Sequence, residues 1–296
     1  MSNPQIQIDA PEQPMSQLPA NGDVKLHIYS RAFFGLLQRD FRVLTREFIP
    51  FLIRVAMNPL LFLFVFTYVM PHMVNGSKLD PVAGMATSGG GGFGTILLPG
   101  LMAVAIMFSG VAAVALQLAQ EFGITREIDD RVMCPLPIAA VGLEKIVFSA
   151  IQCIVAAGLV FPMAYYIPST PVAAHVSSWW LLAAVLILSS LLAGAMGLTI
   201  GTYVQPKQIG LIFGVIIVPI TFLGCVYYPW AALKSIKWLQ IGVLVNPIVY
   251  ISEGLRAALT PTTGHMPEAL ILAMLVLFLA LLTWLGLRGF ANRVLT

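Results

Sequence analysis

Between two long apolar runs, at about 95–119 and 146–167, the sequence places a block of charge, and this alternation limits the fold more than any other feature. Glu121, Arg126, Glu127, Asp129, Asp130 and Arg131 fall within eleven residues. Such a cluster cannot lie in hydrocarbon, where one charged side chain at mid-depth already costs about 2.5 kcal/mol or more. Each flanking run is long enough to cross roughly 30 Å of hydrocarbon as a helix rising about 1.5 Å per residue. The block therefore emerges on one aqueous face between two crossings, as a short helix that Pro135 and Pro137 bring to an end. The remainder of the chain has the same apolar character: 58% of its residues are hydrophobic and 10% charged, outside the range of soluble domains.

Four further apolar runs, at about 51–70, 179–203, 209–228 and 269–287, complete the expected architecture. It is an all-α integral membrane protein with six transmembrane helices within residues 50–290, followed by a short carboxy-terminal end at 291–296. Residues 1–27 read as a disordered tail: 1–23 are rich in Gln, Pro, Ser and Asn, and carry no apolar core of a secretory signal. In 28–49, Phe33, Leu36, Leu37, Phe41, Leu44 and Phe48 recur at helical spacing, opposite Arg31, Arg39, Arg42 and Arg46. That pattern predicts an amphipathic helix lying in the membrane interface. With the amino terminus inside, twelve lysines and arginines are cytoplasmic, and only Lys78, Lys234, Lys237 and Arg256 are outside. This bias places both termini and the charged block in the cytoplasm. The segment 229–260 is too short and too broken by Asn246-Pro247 to be a tilted span, and it predicts a re-entrant pair of outer helices. Glu253 and Arg256, three apart on the second of these, are placed to pair at the membrane edge.

Chemistry-bearing residues are sparse. His27, His72, His175 and His265 are scattered without a metal-ligand spacing, and Cys134, Cys153 and Cys225 form no pair motif. Asp129-Asp130 is followed by Arg131, so no D-D-x-x-D site for magnesium and a diphosphate exists. None of spans two to six has an ionisable residue at its centre, against what an ion-coupled transporter needs. Ser189, Ser190, Gly194, Gly197, Thr199, Gly201 and Thr202 in span four suit close helix packing. The chain lacks a G-x-x-x-x-G-K-S/T loop, so energy for active transport has to come from a separate subunit.

Three stretches carry a resemblance: NPLLFLFVFTYVMP at 58–71, EFGITREIDDRVMCPLP at 121–137 and NPIVYISEGLRAAL at 246–259. Together they resemble the permease subunit of a type-2 ABC exporter, a group that includes daunorubicin-type drug export and nodulation lipo-oligosaccharide export permeases. The sequence departs from that pattern in a longer, glycine-rich outer loop at 84–94. The resemblance implies that 120–137 holds a coupling helix docking in an ATPase cleft through Glu121, Phe122, Gly123, Arg126, Glu127 and Arg131. It implies a working unit of two permeases, taken as identical, with two ATPase subunits that carry ATP and Mg²⁺, in the cell's inner membrane; the chain itself binds no cofactor and no nucleic acid. Cargo is expected to pass between span two and span five of opposing subunits. Met107, Phe108, Phe213, Phe222 and Tyr227 are candidate walls, suited to a hydrophobic drug, a lipid or a lipid-linked glycan. Asn246, Pro247, Glu253 and Arg256 mark the outer re-entrant helices. The alternative from another class is a membrane-embedded enzyme acting on a lipid substrate.

Overall fold

The computed structural model describes residues 22–69, 93–125, 136–166, 175–261 and 264–295, and among them there are helices and turns but no strand. The helices are α1 (Gly22–Arg46), α2 (Phe48–Leu63), α3 (Phe93–Gln120), α4 (Ile138–Tyr166), α5 (Trp179–Tyr203), the broken α6 (Pro206–Phe222), α7 (Lys237–Gly242), α8 (Pro247–Leu259) and α9 (Glu268–Leu295).

Helix α3 is the axis of the molecule, packed by α2, α4, α5 and α8. It is apolar all round, as a helix surrounded by other helices must be, and 83% of its most apolar window is buried against 17% for α9. Helix α9 turns Leu270, Val276, Leu277, Leu281 and Trp284 outward. A face of this kind is stable in lipid and a liability in water. Tyr165, Tyr166, Trp179 and Trp180 cluster exposed at the far ends of α4 and α5, where amphipathic rings settle at a membrane–water interface.

Small residues set the spacing of α5 against its neighbours. A Cβ on Gly194 would lie 2.1 Å from Ser149 Oγ of α4, and one on Gly197 3.0 Å from the Gly110 carbonyl of α3. The backbones meet there because no side chain intervenes. Thr199 and Thr202 turn their hydroxyls back onto α5 carbonyls, Ala195 and Leu198 respectively, and Thr199 Oγ1 also reaches Leu282 of α9 at 3.0 Å.

Four helices, α3, α4, α5 and α9, are long and apolar enough to cross a membrane; the bent pair Lys237–Val245 and Pro247–Leu259 would make a fifth. The stretches expected as spans one and five are shorter apolar helices, Phe48–Leu63 and Pro206–Phe222. Both are interrupted. Helix α2 contains Pro59 and passes into a π-helical turn over Phe64–Val69. Inside α6 a π turn over Phe213–Ile217 precedes Pro219, whose missing N–H and ring crowd the carbonyl four residues back and widen the coil. The chain then leaves the helix after Phe222 instead of continuing to 228. Helix α1 begins at Gly22 and ends at Arg46, earlier at both ends than the expected 28–49. Helix α4 starts at Ile138, so Glu144 and Lys145 lie within it and are buried rather than solvated. The tail before Gly22, the outer loop 70–92 and the segment 126–135 fall outside the described residues.

Candidate functional site

The chain enters the charged block through Glu121–Thr125, a π-helical extension of α3, and returns from it at the start of α4. Three consecutive residues at this root each grip a different element. Glu121 Oε1 accepts from Lys145 Nζ of α4 at 2.8 Å, with both side chains almost wholly buried. Phe122 lies edge-on to Phe290 of α9, centroids 6.3 Å apart, and Arg293 stacks over its ring at 4.4 Å. Gly123 lies against Pro206 at the start of α6, where a Cβ would come within 3.0 Å of the proline ring.

Arg293 extends this junction. Its Nη1 donates to the carbonyls of Gly201, Thr202 and Val204, at 2.9, 2.9 and 2.8 Å. These oxygens end α5 without helical partners, and a cation placed there satisfies them and the negative end of the helix dipole. One guanidinium thus ties α5 and α9 to Phe122. The root of the charged block is thereby joined to α4, α5, α6 and α9.

Glu121 was expected to face a partner, and the structure corrects this: its carboxylate points inward, because Lys145 approaches from α4 and the ion pair is stronger out of water. Phe122 is half-buried and Gly123 exposed at the edge of the same junction. Arg126, Glu127 and Arg131 lie outside the described residues. Sequence reasoning missed Lys145, Arg293 and Phe290; a lysine at the start of an apolar run was the one available signal for the first.

At the opposite end, α7 and its 3₁₀ continuation meet α8 at 99°. Asn246 makes the corner: its Oδ1 accepts from the Ile248 N–H at 3.0 Å and its Nδ2 donates to the Ile220 carbonyl at 2.6 Å, while Pro247 occupies the first helical turn, where no donor is required. Glu253 and Arg256 do pair, but not at an exposed edge. Both are fully buried. Besides Arg256 Nη1, Glu253 accepts the backbone N–H of Trp230 at 2.9 Å and of Met266 at 3.2 Å. Arg256 Nη2 donates to the Cys225 carbonyl at 3.2 Å, holding a residue whose φ of 53° lies in the left-handed region. The pair is a hub fastening the 225–230 turn, α8 and the lead into α9, and this density of backbone acceptors and donors is why the charges tolerate burial.

The candidate cargo-wall residues separate into two groups. Phe222 and Tyr227 stack with Phe62 of α2, all three centroid distances lying between 5.4 and 6.4 Å, and Phe222 is exposed. Phe108 lines a small cleft between α2 and α3, and Phe213 is half-buried on α6. Met107 belongs elsewhere: it is completely buried in the core around α3, one residue round the helix from Phe108, so it presents no wall to cargo within the chain. Among the described residues no three His, Cys, Asp or Glu side chains converge to hold a metal ion.

The apolar helices and their outward faces define a multi-pass, all-α membrane protein. Within that class, the family model described as ABC-2 type transporter matches residues 31–260, from α1 through the end of α8, and the chain belongs to that family: it is the membrane component of a transporter. No curated protein and no solved structure matches it.

Proposed function

We propose that the chain is the permease of an ATP-driven exporter, working as two identical copies with two separate ATPase subunits that bind ATP and Mg²⁺. In this reading α2 with its continuation, α3, α4, α5, α6 and α9 are six crossings of the inner membrane, both termini are cytoplasmic, and α7–α8 re-enters from the outside. Arg126, Glu127 and Arg131 form the contact with the ATPase, and Phe108, Phe213, Phe222 and Tyr227 meet a hydrophobic drug, a lipid or a lipid-linked glycan at the interface of two copies.

The observation that supports coupling to a motor is the junction at Glu121-Phe122-Gly123. A push on the charged block reaches its root, and the root is held to α4, α5, α6 and α9 by an ion pair, a stacked ring and a close backbone contact. Nucleotide-driven closure of the ATPases then biases a two-state packing of the helices. The test is co-purification of this chain with its ATPase, wild type against Glu127→Lys, followed by ATP hydrolysis in lipid with a panel of drugs and lipid-linked sugars. Association of the wild type alone, with hydrolysis stimulated by one cargo class, is the expected result. Failure of the wild type to associate would remove the exporter reading.

A further inference from the structure

Two connected cavities lie between α1–α2 and α3–α4 on the side of the charged block. The larger, about 490 Å³, has mixed walls, in which Arg39, Asp40, Glu47, Arg54, Gln117 and Gln152 alternate with apolar side chains such as Leu44, Phe51 and Phe148. The smaller, about 180 Å³, runs up between α2 and α3 and is apolar, lined by Val55, Pro59, Val104, Ala105 and Phe108 among others. Arg54 and Ala112 line both, so the cavities meet at a guanidinium.

Arg54 is the one charged residue in the sixteen of α2. Its side chain is exposed where the two cavities join, so the guanidinium is open to a ligand there. Among the described residues no ion pair or hydrogen bond engages it, whereas Glu121 in the same cavity is held by Lys145. A chamber with charged and apolar walls, an open guanidinium where it narrows and an apolar slot beyond follow the order of headgroup, phosphate and acyl chain in a membrane lipid. Arginine matches phosphate oxygens with two parallel donors, and basic pockets between membrane helices bind phosphate-headed lipids. The chamber is within the size range of small-molecule sites.

We propose that this cleft seats one glycerophospholipid of the bilayer, its phosphate on Arg54 and one acyl chain in the slot between α2 and α3. The chamber walls carry both signs, Arg39 and Arg54 against Asp40 and Glu47, with Glu121 already paired to Lys145, so a zwitterionic ethanolamine head fits them better than one with net negative charge. Phe108 of the slot is shared with the proposed cargo wall, but the site rests on Arg54 and Ala112 and is tested by binding without the ATPase or transport, so its failure and that of the exporter reading are distinguishable.

The test is native mass spectrometry of the full chain in detergent, titrated with phosphatidylethanolamine. One saturable copy per chain is expected, with affinity lowered about tenfold or more by Arg54→Gln and by Ala112→Phe, which fills the neck. Arg31→Gln, on the exposed part of α1 outside the cavity, is expected to leave affinity unchanged. Diacylglycerol, which lacks the phosphate, is expected to bind about tenfold more weakly or worse, and inorganic phosphate not to displace the lipid. Equal losses for Arg54→Gln and Arg31→Gln would reduce the effect to diffuse charge and overturn the site. Diacylglycerol binding as tightly, or phosphate displacing the lipid, would do the same. Thermal unfolding of each variant identifies misfolding, and if Ala112→Phe unfolds early, Arg54→Gln and the diacylglycerol comparison still decide.

Discussion

At the scale of single residues, two buried ion pairs hold opposite ends of the molecule, and they differ in how they are satisfied. Glu253 accepts two backbone N–H groups in addition to Arg256, whereas Lys145 meets Glu121 across the mouth of a loop. Removing one partner of a buried pair strands the other charge, at a cost of about 3–5 kcal/mol. Lys145→Met is therefore expected to lower the thermal unfolding temperature sharply, and Glu121→Gln combined with Lys145→Met to recover most of the loss, as measured in a double-mutant cycle in detergent. Additive losses would show that the two side chains do not interact. Glu253→Gln is expected to be at least as damaging, because two backbone donors lose their charged acceptor while Arg256 stays buried. No second substitution at Arg256 alone can restore those donors, so the corresponding double variant recovers less. The comparison of the two cycles separates a simple clamp from a hub.

At the scale of elements, helix spacing rests on where a Cβ is missing. Gly197→Leu on α5 would press on the Gly110 carbonyl and Val111 Cα of α3, both 3.0 Å from the new Cβ, and backbone cannot swing aside as a side chain does. Overpacking of this kind costs about 1–3 kcal/mol. Gly158 on α4 has nothing within 4 Å. There Gly158→Ala gains helix propensity, about 0.8–1.0 kcal/mol in a helix interior, so unfolding temperature is expected to fall in the first variant and rise in the second. The glycine and hydroxyl pattern of α5 was readable in the sequence because tight packing leaves a local signature. The same holds for the amphipathic α1 and for the corner at Asn246-Pro247. What could not be read was set by distant contacts. Glu253 and Arg256 were legible as a pair at i, i+3 spacing, but their burial depends on the 225–230 turn and on Met266, which no local pattern announces. Lys145 stands 24 residues from Glu121, and the sequence by itself gave each a solvated role. The π turns that interrupt α2 and α6, and the early end of α6, are backbone effects inside runs whose hydrophobicity alone reads as continuous.

At the scale of the whole molecule, a transporter driven from outside must separate the surface that receives force from the parts that distribute it. The charged residues Arg126, Glu127 and Arg131 have the chemistry of the first, an orientable and salt-sensitive contact. Phe122 has the position of the second: among the described residues its ring joins the loop root to Arg293, and through Arg293 it reaches the ends of both α5 and α9. Phe122→Ala removes that ring and keeps every charge. Association with the ATPase is then expected to stay close to wild type, while transport per ATP hydrolysed falls about tenfold, equivalent to about 1.4 kcal/mol of lost coupling. Phe122→Tyr, which preserves the stacking face toward Arg293, is expected to restore most of it. Binding assays and transport in proteoliposomes containing both subunits measure the two quantities separately. Loss of association in Phe122→Ala at unchanged unfolding temperature would place the ring on the receiving surface instead, and the junction would then be a part of the docking site and not its transmission.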